Sequence, residues 1–526
     1  MSCSLLEFTR ELSTSDSDLF LCSLSVTRAS YVRRMYSSVT SCALVGVEPR
    51  SIRIETAVTG GSGGFTIVGL PDAAIRESRE RVKSAIRHSG YRFPGGNVLV
   101  NLSPADLPKV GAIYDLPIAL SVLAASSDDG LTFDEFVPVG ELSLQGRVRP
   151  VRAALGASVV AHRESKTCLV SSDSVLVASD DTKIAGVATL REAVEVAQGR
   201  RHAAPVAAPE HEVVEVGDLS DVRGQKQARR AIEIAAAGGH HLLLVGPPGS
   251  GKTMLARCLP GILPSLSDVE QRDVALVWAA CGADRRATTA PPFRSPHHSA
   301  SIPALVGGGA GIPTPGEVSK AHHGVLFLDE LGEFPTGVLD ALRQPIEDGH
   351  VIVARQAAAV RFPSRVQLIA ATNPCPCGFL GDRNKACTCA SLSLERYRRR
   401  LSGPLLDRFD MRIVVPRLRT SDLAGPRGEG SSDVKRRVLD AHQPQLDRGK
   451  PNSQLTGAEL DACNIGEDAI EALVAAADDA RLTARGWDRV RRVARTIADL
   501  GGEEQVIAAH IAEALDLRAD PLGETP

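Results

Sequence analysis

Apolar residues recur along this chain at two spacings, and the spacing changes from one segment to the next. Short apolar runs such as Asn97–Asn101 and Thr167–Val170 predict strands. Asp72–His88 instead carries Ile75, Val82 and Ile86 on one helical stripe and stops before Gly90, a C-cap residue. From about Cys42 to Val196 the two patterns alternate, which predicts an α/β unit. Gly199–Glu212 is rich in Ala, Pro and polar residues, has neither period, and reads as a linker. From Asp218 to about Arg419 the runs His241–Val245, Val325–Leu328, Val366–Ala370 and Met411–Val415 alternate with helical stretches, the pattern of an open parallel sheet. Gly428–Ser453 then reads as loop and helix, and Ile465–Leu517 as successive helices without a strand pattern, a helical C-terminal lid.

At 526 residues the chain exceeds what one hydrophobic core organises. The expected division is 1–40 as a disordered extension, 41–198 as the first α/β domain, 199–216 as linker, 217–420 as the parallel-sheet core and 421–526 as the lid. The first 34 residues are rich in Ser and Thr, and Glu7, Glu11, Asp16 and Asp18 do not fit a secretion signal; Met35 is a candidate initiator. Hydrophobic residues make up 43%, and no apolar run approaches the ~18 residues that cross a bilayer, so a soluble protein without a membrane partner is expected. With 60 basic against 63 acidic residues, any site for a polyanion must be local. Eleven cysteines are scattered except for four within Cys375–Cys389, which is unlike a secreted disulfide framework and points to a reducing cytoplasm.

The apolar run His241–Val245 leads directly into Gly246, Pro247, Pro248, Gly249, Ser250, Gly251, Lys252 and Thr253, and then into the helix-like Met254–Leu259. In a strand-loop-helix context this spacing predicts a phosphate cradle: glycines turn amides inward, Lys252 reaches the outer phosphates of ATP, and the Thr253 hydroxyl ligates Mg2+. An ordinary glycine-rich turn leaves the lysine and threonine unexplained. Val325–Leu328 ends in Asp329 and Glu330, one carboxylate for the magnesium shell and one to orient and deprotonate water. Val366–Ala370 leads to Asn373, an amide placed to align that water, although a lone loop asparagine is more often a turn former. Cys375, Cys377, Cys387 and Cys389 allow either one tetrahedral Zn2+ or four reduced thiols, the single-residue gap being tighter than the usual zinc spacing. Arg396–Arg419 holds eight arginines against Asp407 and Asp410, which suits a polyanion or a solvated face; Arg408 just precedes the strand Met411–Val415, where it suits a neighbouring subunit's nucleotide better than its own.

The phosphate loop, Leu328-Asp-Glu330, Thr372-Asn-Pro-Cys-Pro-Cys-Gly378 and Leu405-Leu-Asp-Arg-Phe-Asp410 together resemble the magnesium-chelatase-like AAA+ ATPases, and within them the ComM/YifB family, over about Cys42 to Leu517. The resemblance implies a ring, a homohexamer, in which Arg408 reaches the next subunit's nucleotide. It also implies a second sensor at Arg485 in Leu482-Thr-Ala-Arg485-Gly, with Arg489 and Arg492 as rivals and Thr483 where the family has serine. Val100-Asn-Leu-Ser-Pro-Ala-Asp106 and Gly140-Glu-Leu-Ser-Leu-Gln-Gly146 resemble the Lon protease proteolytic domain, which implies a ribosomal S5 domain 2-like fold for 41–198. Proteolysis there needs a serine activated by a lysine, but the matching positions fall near Ile113 and Gly156, with Lys109 and Ser121 elsewhere, so a non-catalytic module is expected.

Proteins of that family are helicases that drive DNA branch migration during natural transformation, so the resemblance implies DNA as a partner. His350–Val353 and Ala359–Phe362 read as a hairpin for a ring's pore, with Arg355 and Arg361 facing phosphates, and Ser295–Lys320, with His297, His298 and the Gly307–Gly311 turn, as a second pore loop. Both suit ordinary solvated insertions equally. A chaperone-like remodeller of proteins and a chelatase motor subunit are the rival functions; stimulation of ATP hydrolysis by DNA separates the first rival from the DNA motor.

Overall fold

The computed structural model describes residues 35–518 except 108, 128–129, 177–180, 208–215, 283–287, 310–312, 356–358, 383–384, 402 and 479–481. The expected extension lies outside these residues up to 34, but its last part does not behave as one. Tyr36–Val45 is a strand that pairs antiparallel with Glu48–Thr59, Tyr36 opposite Ala57. Its hydroxyls are satisfied inside: Ser37 donates to the Ser121 carbonyl at 2.7 Å and Ser41 to that of Pro138 at 2.9 Å. Glu48–Thr59 alternates as a half-buried strand must, with Ile52, Ile54, Thr56 and Val58 inward, and it pairs onward to Asn97–Ser103, which lies parallel to Phe65–Val68.

Helix Ala73–His88 starts where the Asp72 carboxylate accepts from the Ile75 amide, and it buries Ile75, Val82 and Ile86 as the stripe predicts. Asp115–Ser126 is apolar on nearly every side and sits in the middle of this unit; its buried Asp115 is held by Arg81 at 2.8 Å. A three-stranded parallel sheet, Phe136–Pro138, Thr167–Ser171 and Ile184–Val187, follows. The start of the expected linker packs against it: Gly186 and Ala204 exchange two backbone hydrogen bonds of 2.9 Å.

The centre of the molecule is a five-stranded, all-parallel sheet in the order Phe293–Arg294, Gly324–Leu328, Val366–Thr372, Leu242–Val245, Met411–Val414. Its inner strands are buried on both faces, which is why they read as unbroken apolar runs. Parallel pairing brings the C-terminal ends of consecutive strands to one edge. One continuous apolar core joins Leu242 and Leu244, the alanine-rich helix Lys226–Gly238 and C-terminal helices through Val438, Leu473, Val493 and Ile511. The C-terminal elements Ser431–Asp447, Gly457–Ala462, Glu467–Asp478, Ala484–Gly501 and Ala508–Asp516 are all helices. Among the described residues no helix is long and apolar enough to cross a membrane.

The hairpin His350–Ala354 with Ala359–Pro363 forms as expected, but one of its faces is covered. Val351, Val353, Val360 and Phe362 pack on Val45 and Val47 at the turn of the first two strands. Gly46, at φ +64°, makes that approach possible, since a Cβ there would lie 2.1 Å from a Val360 methyl. The opposite face carries exposed Ile352 and Arg361, and Arg355 at the hairpin's end is exposed as well.

Beside this hairpin the buried His322 accepts the Arg365 amide on Nδ1 at 3.1 Å. Burial first, then the adjacent His323, pulls its pKa from 6.5 down to about 3. The folded state therefore holds it neutral while the unfolded chain protonates near 6.5, so its contribution is complete above that pH and is lost as pH falls towards 3. Thermal unfolding of His322→Gln, which keeps an acceptor for the amide, is expected to decline less steeply across this window than the unmodified protein. Parallel declines would assign the acid sensitivity to other groups.

Candidate nucleotide site

The loop Gly246–Thr253 leaves the sheet edge between strand Leu242–Val245 and helix Lys252–Ile262. Gly249 and Gly251 adopt φ +78° and +92°, which turns the backbone as no branched residue would. No side chain caps the helix, so its first amides face the loop, the arrangement that receives phosphate. Lys252 is only 9% exposed, and its ammonium donates to the carbonyls of Gly246 at 2.7 Å and Pro247 at 3.0 Å and to Asn373 Oδ1 at 3.4 Å. Burial pulls this lysine below its ordinary pKa, against the opposing charges of Asp329 and Glu330. A cation held by neutral oxygens gains from an anionic one, because attraction between opposite charges is stronger where water is excluded.

The strand ending at Leu328 delivers Asp329 to the same place, where its Oδ2 accepts from the Thr253 hydroxyl at 2.8 Å and its Oδ1 from the Glu330 amide at 3.0 Å. This hydroxyl and carboxylate are hard oxygen donors of the kind that hold Mg2+ with retained waters. Glu330 sits in the left-handed region, φ +53° and ψ +48°, with its side chain 57% exposed and 3.3 Å from His298 Nδ1. His298 in turn lies against His297, ring centroids 4.0 Å apart. Asn373 follows the middle strand, and Tyr397 anchors it from below by donating to the Asn373 carbonyl at 2.9 Å while bonding the Thr372 hydroxyl at 2.9 Å. The phosphate loop, Asp329, Glu330 and Asn373 are thus brought together, as the motif spacing required.

Sequence reasoning missed three parts of this site. Tyr397 lay hidden in an arginine run and His298 was assigned only to a loop; the spacing of neither points to the nucleotide. Gln225, φ +47°, ties the loop to the sheet by donating to the carbonyls of Ser250 at 3.0 Å and Pro416 at 2.7 Å. It lines a cavity of about 540 Å³ with Gly246, Pro247, Leu380, Asp382 and Leu418, adjoining the cradle and large enough for a nucleoside.

The arginines separate. Arg408 precedes the strand Met411–Val414 and so stands at the opposite end of the sheet from its own cradle; it is buried and pairs with Glu347 at 2.5 Å. Arg485, in the first turn of helix Ala484–Gly501, is exposed. Its rivals are engaged: Arg489 pairs with buried Asp410 at 3.3 Å, and Arg492 donates to the Leu455 carbonyl at 2.7 Å. Burial works to raise the Asp410 carboxyl, but the hydrogen bond and charge of His240 and the charges of His241 and Arg489 hold it well below the carboxylate range. Of the expected second pore loop, Gly307–Gly308 pairs with Thr314–Pro315, and 310–312 lie outside the described residues.

The four clustered cysteines converge. Cys375 Sγ lies 3.4 Å from Cys377 Sγ and 3.7 Å from Cys387 Sγ, Cys377 and Cys387 are 3.6 Å apart, and Cys389 Sγ accepts the Cys377 amide at 3.3 Å. Backbone amides of Phe379 and then Thr388 draw the Cys377 thiol down towards thiolate. In the first α/β unit no serine-lysine pair appears at the protease-like positions. Gly156 is buried within helix Ala154–Arg163, Lys109 is buried with its ammonium on the Pro104 carbonyl, and Ser121 donates to Thr56 at 2.6 Å.

Comparison with known sequences agrees with this arrangement. Residues 218–423 match the family described as magnesium chelatase, subunit ChlI, residues 54–174 that described as subunit ChlI of Mg-chelatase, and residues 428–518 the C-terminal part of subunit ChlI. The chain is 42% identical over 503 residues to the competence protein ComM of Haemophilus influenzae, covering 91% of this chain and 97% of that protein. It is 43% identical over 491 residues to the YifB protein of Salmonella typhimurium, covering 91% and 96%. It is also 33% identical over 153 residues to Lon protease 2 of Bacillus subtilis, covering 28% of each chain.

The different environments of two arginines on one helix generate a prediction. Arg489→Ala leaves the buried Asp410 carboxylate short of its partner and is expected to cost up to roughly 3–5 kcal/mol, read as a lower unfolding midpoint. Arg485→Ala is expected to leave the midpoint unchanged and to slow ATP turnover. The reverse pattern would exchange their roles.

Proposed function

We propose that this chain, which belongs to the ComM/YifB family of magnesium-chelatase-like AAA+ ATPases, is an ATP-driven ring motor that remodels DNA, a helicase for branch migration in the recombination of incoming DNA. The observation that carries the ATPase half is the convergence of Lys252, Thr253, Asp329 and Asn373 within hydrogen-bond reach at one sheet edge. In this reading the amides of Gly246–Gly251 and Lys252 bind the β- and γ-phosphates, Thr253 and Asp329 hold Mg2+, Glu330 takes the proton of the attacking water, and Asn373 aligns that water. Arg408 leaves Glu347 to reach the nucleotide of the next subunit in a cytoplasmic hexamer, and Arg485 serves as the second sensor of the terminal phosphate. The position of Arg408 at the far end of the sheet supports a role in trans, since no small movement brings it to its own cradle.

DNA as the object rests on similarity to the competence protein ComM of H. influenzae and on the exposed Arg355 and Arg361 of the hairpin. The domain layout of this reading is a non-proteolytic Lon-like module at 41–198, a linker to 216, the ATPase core at 217–420 and a helical lid at 421–526. The similarity of part of the chain to Lon protease 2 supports a Lon-like module, and the separate engagements of Lys109 and Ser121 support its lack of peptidase chemistry. The four thiols hold one zinc ion.

Glu330→Gln is expected to bind ATP and assemble while hydrolysis falls by about a hundredfold or more, and Lys252→Ala to lose nucleotide binding. Undiminished turnover in the glutamine variant would place the base elsewhere. Forked or single-stranded DNA is expected to stimulate hydrolysis, and the ring to move a three-strand junction only with ATP. Arg355→Ala with Arg361→Ala is expected to weaken DNA binding and flatten its salt slope by about 2 at unchanged basal hydrolysis. A response to a protein partner and never to DNA would overturn the DNA reading.

A further inference from the structure

The four cysteines do not form a module of their own. Cys375 is two residues beyond Asn373, and the turn that follows is wedged against the phosphate loop: Gly378, at φ +83°, accommodates Pro248 so closely that a Cβ would lie 2.6 Å from its ring and 3.8 Å from the Asn373 amide carbon. The Gly378 amide donates to the Cys375 carbonyl at 2.9 Å, and the Leu380 amide to Cys375 Sγ at 3.3 Å. Leu380, Gly381 and Asp382 then form one wall of the 540 Å³ cavity beside Gly246 and Pro247. The same short segment therefore carries two of the thiols, lies against the Asn373 amide and encloses the space next to the cradle.

The thiols themselves fit one ion. Zinc-sulfur bonds of about 2.3 Å place tetrahedral sulfurs about 3.8 Å apart. The measured separations of 3.4, 3.6 and 3.7 Å are close to that edge and far beyond a disulfide, and all four sulfurs lie within 4.8 Å of one another. Amides of Leu380, Cys377 and Cys389 donate to Cys375, Cys389 and Cys387 sulfurs, the outer contacts that orient and stabilise thiolate ligands.

We infer that the zinc centre of Cys375, Cys377, Cys387 and Cys389 is a working part of the nucleotide site: it fixes the 374–382 segment against Pro248, and so sets both the grip on ATP and the position of Asn373. This rests on the nucleotide and zinc readings above and adds their coupling. Without the ion, four unlinked thiols leave the segment free to withdraw, which opens the cavity wall and lets Asn373 swing away from Lys252. Metal capture by a chelator would then switch the motor off from within the site.

The test uses the full chain purified without oxygen. About one zinc per chain is expected, and replacement by Co2+ is expected to give the visible absorption of a tetrahedral thiolate site. Adding MgADP to the cobalt form is expected to shift that absorption, a response that a remote structural ion would not give. Chelator-stripped protein, and Cys389→Ser in parallel, are expected to bind a fluorescent ATP analogue more weakly and to lose about ten- to a hundredfold in kcat, since a displacement of ~1 Å in an aligning group costs up to that much; returned zinc is expected to rescue the stripped protein only. Absence of stoichiometric metal would overturn the zinc reading and the coupling with it. A chain that holds stoichiometric zinc, whose cobalt form binds MgADP without any change in absorption, and that hydrolyses ATP equally well when stripped, would overturn the coupling alone. Failure of the zinc-loaded chain to bind nucleotide at all would sink the nucleotide reading instead.

Discussion

A lysine ammonium buried among neutral oxygens organises the centre of this molecule. Lys252 can reach Gly246, Pro247 and Asn373 at once only because the strands that carry them lie side by side and run the same way, with Gly324–Leu328 next in line to supply Asp329. Removing an ammonium from water is costly unless each donor finds an acceptor. The loop meets that cost with its own carbonyls, leaving a desolvated positive charge beside uncapped helix amides. A triphosphate suits such a place for electrostatic reasons that operate before any catalysis.

The outer parts of the chain are tied to this centre by polar contacts as much as by apolar packing. Asp410, at the start of the edge strand, receives the His241 amide and pairs with Arg489 from the C-terminal helices, while Arg518 donates to the carbonyls of Phe409 and Asp410. The helices are therefore fastened to the end of the sheet remote from the nucleotide. The hairpin His350–Pro363 makes the third connection. Its apolar face rests on the Gly46 turn, so the first α/β unit and the hairpin with Arg361 share a small apolar core.

Expectations about individual residues met different fates for identifiable reasons. Arg408, Arg485, Arg489 and Arg492 look alike in sequence, each an arginine beside apolar positions. Burial and partner distinguish them: Glu347, solvent, Asp410 and a backbone carbonyl respectively. Ser37 fell within the expected extension, 1–40, and Ser41 at the border of the first α/β domain. The strand they occupy is stable because the hydroxyls meet carbonyls of Ser121 and Pro138, more than eighty positions away.

Sequence alone determined the phosphate loop, the acidic pair after its strand, the hairpin, the alternation of strands and helices, and the helical C-terminal end. Those features are written in contiguous residues, because glycine conformation, side-chain alternation and helical periodicity act over a few positions. Tertiary structure alone decided which strands are neighbours, and hence that Thr253 meets Asp329 across 76 residues and Lys252 meets Asn373 across 121. It also decided that His298 lies beside Glu330 and Tyr397 against Asn373, that one hairpin face is covered, and that the four thiols converge next to a turn packed on Pro248. Such contacts depend on sheet order and on what each side chain finds after burial, and no local spacing records either.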